Sequence, residues 1–135
     1  MTTSNWLLAT LAFTACLWIP YVLDRFVKIG LLRTVGNPAP GDLEALAPWA
    51  RRAQRAHANT IENLAVFAPL ALLAIHAGVA NGTLATTASA AYFWARLVHF
   101  FVYAAGLSWL RTLAFVVGFG AQIALVVAIA SGSTP

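Results

Sequence analysis

The chain has 135 residues, of which 61% are hydrophobic and only 9% charged, with a net charge of +4. An ordinary soluble domain carries about 25% charged residues, and a fold of this size leaves too much of its surface wet to hide so much apolar area. A water-soluble globular domain is therefore excluded, and the chain reads as an all-α integral membrane protein.

Crossing a bilayer takes roughly 20 apolar residues. Four segments approach or reach that length, at about 6–22, 60–80, 84–107 and 112–130. With their polar ends they extend to helices over about 6–30, 48–80, 84–107 and 110–131, a four-helix bundle forming one domain over residues 1–135. The first segment has no basic stretch before it and no small-residue cleavage site leading into a polar chain, so it reads as a retained helix rather than a signal peptide. Cys16, the single cysteine, lies in this helix. It permits neither an intrachain disulfide nor a cysteine metal cluster, and in apolar surroundings it acts as a small hydrophobe. No metal site is expected.

The connection after the first helix is basic. Six of the eight basic residues fall between helices one and two: Arg25, Lys28, Arg33, Arg51, Arg52 and Arg55. The connection over 77–87 has no charge, nor has the tail from Gly132, while Arg111 lies at the third connection. The positive-inside rule then puts the first and third connections in the cytoplasm and both termini on the non-cytoplasmic side; in a bacterium this is the plasma (inner) membrane. A membrane-orienting loop explains the basic balance, and no nucleic-acid partner is implied. The stretch GNPAPGDLEALAPW (36–49) is the only long loop, because its prolines and glycines forbid a continuous helix. Pro48 can open the next helix, since a first-turn residue needs no N–H.

Helix two begins with RAHANTIENLAVFAP (55–69). At about 100° per residue, Arg55, Asn59 and Glu62 lie within an arc of roughly 60°, with His57 on the other side. Charged groups in a membrane segment are costly and usually face protein or a wet cavity. Arg55 can snorkel to the headgroups, but Glu62, two turns deeper, needs a partner. His76, near the outer end of the helix, reads as interfacial. Asn81-Gly82 makes a tight turn into helix three, where Tyr92, Arg96, His99 and Tyr103 share another arc of roughly 60°. Arg96 lies at a depth similar to Glu62, so an interhelical Arg96–Glu62 pair is expected. Ala88, Ser89, Ala90 and Ala91 allow close helix packing. Gly106-Leu107-Ser108 turns into helix four. Trp6, Trp49 and Trp109 sit near helix ends, where aromatic anchors are expected.

The two stripes and Arg111 together would line a cavity open to the cytoplasm, in which Arg55, Arg96, His99 and Arg111 face one carboxylate. A structural network tends toward neutrality, so this surplus of cations anticipates an anionic ligand. His99 and Tyr103 add hydrogen-bond donors suited to a carboxylate or a thiolate.

Arg55-x-x-x-Asn59-x-x-Glu62, followed by Phe67 and Pro69, resembles the helix-two signature of the MAPEG family, membrane-associated proteins in eicosanoid and glutathione metabolism. Arg96-x-x-His99-x-x-x-Tyr103 with Arg111-Thr112 after a turn is similar to the microsomal prostaglandin E synthase and glutathione transferase type, in a bacterial-type member. Asn37-Pro38 in the first loop also fits, and the resemblance spans about residues 20–125. It implies a homotrimer of four-helix subunits with glutathione at each subunit interface near the cytoplasmic side. By position, Arg55, Asn59, Glu62, Arg96, His99, Tyr103 and Thr112 would bind glutathione, with Glu62 at its amino end and the arginines at its carboxylates. Arg111 would be the catalytic residue beside the sulfur. A basic residue from helix one of the neighbouring subunit, Arg25, Lys28 or Arg33, would complete the site. The thiolate would attack a lipophilic electrophile or peroxide arriving from the bilayer. The rival readings are a small four-helix proton-coupled multidrug transporter built around Glu62 and a catalytically silent structural membrane protein of the same fold.

Overall fold

The computed structural model describes residues 1–37 and 39–132, so Pro38 of the Asn37-Pro38 pair lies outside the described residues. Its elements are α1 (Thr3–Cys16), α2 (Ile19–Ile29), α3 (Leu31–Val35), α4 (Pro48–His76), α5 (Thr83–Ala105) and α6 (Ser108–Gly132), with no strand among the described residues. Three stretches are long and apolar enough to cross a membrane: Thr3–Ile29, Pro48–His76 and Ser108–Gly132. The chain is an all-helical membrane protein with three such spans and α5 beside them. α5 is long enough but less apolar, because Ser89, Arg96 and His99 dilute it; all three side chains are buried.

Where the sequence suggests one helix over about 6–30, the structure has two. The break falls at Leu17 and Trp18, and Pro20 stands in the first turn of α2. Proline has no N–H and its ring crowds the carbonyl four residues back, so a continuous helix is disfavoured there. Cys16, expected among buried apolar groups, is exposed on the surface of the chain. At the other boundaries local chemistry sets the ends. Thr2 accepts the Asn5 N–H at 3.3 Å as an N-cap. Pro48 opens α4. Gly106 closes α5 with φ +85°, a left-handed conformation that favours glycine.

α5 packs against α1, α4 and α6 and is the central helix. The main core cluster joins Leu7, Phe67, Tyr92 and Leu125 through alanines, among them Ala71, Ala88 and Ala121. Small side chains allow the close approach on which helix association in lipid depends. Hydroxyls in these helices satisfy themselves four residues back: Thr10 on Trp6 O, Thr14 on Thr10 O, Thr60 on Ala56 O and Ser89 on Ala85 O. The Thr3 N–H donates to Ala80 O at 3.3 Å, and Gly132 abuts Val79. The start of α1 and the end of α6 therefore share one end of the bundle with the α4–α5 turn. Residues 39–47 and the α5–α6 turn occupy the other end, where Trp49 and Trp109 are exposed.

Two carboxylates hold residues 39–47: Asp24 accepts the Ala47 N–H at 2.9 Å, and Asp42 does more. Asp42 is buried, accepts the Ala39 N–H at 2.8 Å and pairs with Arg25 at 3.3 Å and Arg33 at 2.9 Å. The Ala39 N–H, aided by the Arg33 and Arg25 guanidiniums, holds its carboxyl below the usual range although burial pushes the other way. A depressed folded-state pKa contributes stability that is complete above the unfolded value, near 4, and is lost as pH falls through the folded one. Asp42→Asn should therefore unfold at a lower temperature than the parent at pH 7 in detergent, with the gap closing as pH drops below about 4. A gap that stays constant down to the folded-state pKa and below it would contradict this account.

Candidate functional site

The polar face of α5 turns inward. Arg96 is 0% exposed and His99 2%, unusual values for such side chains. Arg96 Nη1 donates to Asn59 Oδ1 at 3.3 Å. The guanidinium lies between two rings, with Cζ 5.8 Å from the Tyr92 centroid and 5.5 Å from that of Phe115. Tyr92 is itself fixed by stacking on Phe67, centroids 3.8 Å apart. Cation–π contacts offset part of the lost hydration, but Arg96 Nε and Nη2 and His99 Nδ1 have no hydrogen-bond partner among the described residues. Arg96 is in no ion pair among the described residues, whose ion pairs all involve Asp42.

Above Arg96, toward the α5–α6 turn, a cavity of about 180 Å³ is lined by Asn59, His99, Tyr103, Arg111, Thr112 and Phe115. It gathers one residue of α4, two of α5 and three of α6. Arg111 reaches it by laying its guanidinium over Tyr103, Cζ to centroid 4.6 Å, and the Tyr103 ring stands edge-on to His99 at 5.6 Å. Arg111 lines this space with four hydrogen-bonding side chains, and no carboxylate among the described residues does, so what it offers chemically is stabilisation of an anion.

Two of the residues expected here are elsewhere. Arg55 and Glu62 are both exposed on the outer face of α4, and Arg55 lines a separate groove of about 300 Å³ with Leu43, Arg51, Gln54 and Ala58. The expected Arg96–Glu62 pair is not formed; Asn59 is the partner of Arg96. The reason is angular. Asn59 and Glu62 sit about 60° apart around α4, and that is enough to turn one toward α5 and the other out of the chain.

Other contacts escaped the sequence reading. Arg52 Nε donates to Ala104 O at 2.9 Å, and its guanidinium packs on Gly106, so a cation satisfies the open carbonyl end of α5 just before Arg111. Asn63 Nδ2 donates to Asn59 O at 2.8 Å, and Gln122 Nε2 to Asn63 O at 3.1 Å, which extends the polar seam into α6. His57, set apart by its angle, meets Tyr21 Oη through Nδ1 at 3.0 Å. The glycine cap at 106 signalled open carbonyls, but nothing in the sequence tells which distant cation reaches them. Among the basic residues after the first helix, Arg25 and Arg33 are committed to Asp42, whereas Lys28 is exposed and in no ion pair among the described residues.

The family model described as MAPEG family matches residues 7–131, nearly the whole chain. The chain belongs to the MAPEG family. That family includes glutathione transferases and related enzymes, and its membership is consistent with a glutathione-related membrane protein. Neither a curated protein nor a solved structure matches the chain. For this MAPEG protein, the Arg52 contact gives a direct test of the site's frame. Arg52→Ala should cost about 1.5 kcal/mol, the low end for a hydrogen bond to a charged group, read as a lower unfolding midpoint in detergent. An unchanged midpoint would mean that the α5 terminus does not need it.

Proposed function

We propose that this protein is a glutathione-dependent membrane enzyme, which activates the glutathione thiol for attack on a lipophilic electrophile or peroxide. The observation that carries the reading is Arg96: a fully buried guanidinium whose Nε and Nη2 are unpartnered, next to a cavity bordered by Arg111 and His99. Burying an uncompensated charge is unfavourable unless an anion completes it. Glutathione, with two carboxylates, one ammonium and a thiol, fits such a donor set. Asn59, Arg96, His99, Tyr103 and Thr112 would hold its polar groups, and Arg55 and Glu62 its remaining charges, Glu62 at the ammonium.

The cavity of about 180 Å³ is smaller than the roughly 300–1,000 Å³ of usual small-molecule sites. Glu62 is also exposed in the middle of an apolar span, where an unpartnered charge is expensive. Both observations support a site completed by a second copy of the chain, as in a homotrimer. Lys28 is the helix-one cation free to serve the neighbouring subunit. Arg25 and Arg33 are not free, since Asp42 holds them. The basic loop supports placing this end of the bundle in the cytoplasm.

Bound glutathione would supply a sulfur nucleophile, which forms its new bond as the electrophile's leaving group departs with the bonding pair. Arg111 lowers the cost of the thiolate, since a neighbouring guanidinium depresses a thiol pKa that is ordinarily near 8.5, and arginine keeps its charge in a semi-apolar site. Tyr103 holds Arg111 in place through the ring contact. A second groove of about 360 Å³, lined only by apolar residues such as Trp94, Val98, Leu113 and Val117, lies along α5 and α6 and supports access for a lipophilic molecule from the bilayer. Its wall includes Val102 and Leu110, the chain neighbours of Tyr103 and Arg111.

Purified protein in detergent should conjugate glutathione to a lipophilic aryl halide. Arg111→Ala should keep glutathione affinity and lose turnover by about a hundredfold, the usual effect of removing one stabilising donor. Unchanged turnover in that variant would refute the assignment of Arg111. Glutathione binding without any turnover of electrophile or peroxide would favour a silent member of the family.

A further inference from the structure

Arg96 rests on a glycine. A Cβ built at Gly118 of α6 would lie 2.8 Å from Arg96 Nη2, 3.2 Å from Nε and 3.3 Å from Cζ. Carbon does not approach nitrogen this closely without strain, so any side chain at 118 must move the guanidinium or the helix. Gly118 is buried, has no positive φ, and lies in the middle of a regular helix, so no turn calls for glycine there. Glycine in a helix interior is destabilising by roughly 0.5–1 kcal/mol relative to alanine. Gly120, two residues on, is different: a Cβ there would meet nothing within 4 Å. One of these two α6 glycines is needed for space and the other is not.

We propose that Gly118 is the positioning residue for Arg96. By leaving out its side chain it lets the guanidinium lie against the α6 backbone between Tyr92 and Phe115, with Nη1 on Asn59 and its charge beside the cavity. The role in ligand binding rests on the glutathione reading above; the seating of Arg96 does not. The guanidinium sits at the end of a flexible, unbranched methylene stem, so an added methyl displaces it rather than unfolding the bundle. The expected phenotype is therefore a misplaced cation in a folded protein.

The test uses the full chain purified in detergent, with variants at 118, 120 and 96. Gly118→Ala should lower the unfolding midpoint when Arg96 is present and leave it unchanged or higher in an Arg96→Leu background, where the guanidinium is gone. Gly120→Ala should not lower the midpoint in either background. Glutathione affinity should fall by about tenfold in Gly118→Ala, as expected when a charge-assisted contact is lost, and should stay at the parental value in Gly120→Ala. An equal effect of Gly118→Ala with and without Arg96 would overturn the proposal, as would parental glutathione affinity in that variant. If the midpoints couple as expected but the parent binds no glutathione, the seat for Arg96 stands and the glutathione reading falls.

Discussion

A guanidinium with no counter-ion among the described residues, buried at the centre of a membrane bundle, is the constraint around which the rest of this structure is arranged. The cost of removing a charge from water is large, and an interior built for stability alone would place an apolar residue there. Instead, α5 is the central helix, with its polar face turned inward. Two aromatic rings flank Arg96, Asn59 accepts a hydrogen bond from it, and Gly118 leaves it room. Each arrangement offsets part of the cost and none cancels the charge. The uncompensated charge still acts through space on the adjoining cavity, which is how a site for an anion can be held ready at the expense of stability.

The frame around Arg96 follows the same logic at lower stakes. Phe67 fixes Tyr92, Tyr103 fixes Arg111, and Arg52 fixes the end of α5 from which the turn to Arg111 departs. At the same end, Asp42 gathers Arg25 and Arg33 and thereby orders the loop. Three of the eight Lys and Arg side chains therefore have a structural task. Of the other five, Arg96 and Arg111 lie beside the cavity and Lys28, Arg51 and Arg55 outside it, none of them paired with a carboxylate among the described residues. This division of labour separates a site from a merely basic surface.

The α5 stripe was legible in the sequence because a helix repeats every 3.6 residues, and Tyr92, Arg96, His99 and Tyr103 keep to that repeat. The membrane character was legible too, from composition alone. Periodicity gives a face but not the neighbour it meets. Thus Glu62 was matched to Arg96 on depth, whereas a 60° turn around α4 gives that contact to Asn59. Arg52, Gln122 and Gly118 act through residues more than ten positions away, and no local pattern announces such contacts. The break after Cys16 was signalled by Pro20, but a long apolar run masked it.

The most direct measurement is the unfolding midpoint of the purified protein as glutathione is added. A ligand that binds only the folded state raises stability with the logarithm of its concentration once past its dissociation constant. The parent should show this rise. Arg96→Met, which replaces the uncompensated cation by an apolar chain, should be no less stable without ligand and should show little or no rise. A parent midpoint that ignores glutathione, or an Arg96→Met variant that rises as steeply as the parent, would contradict the account.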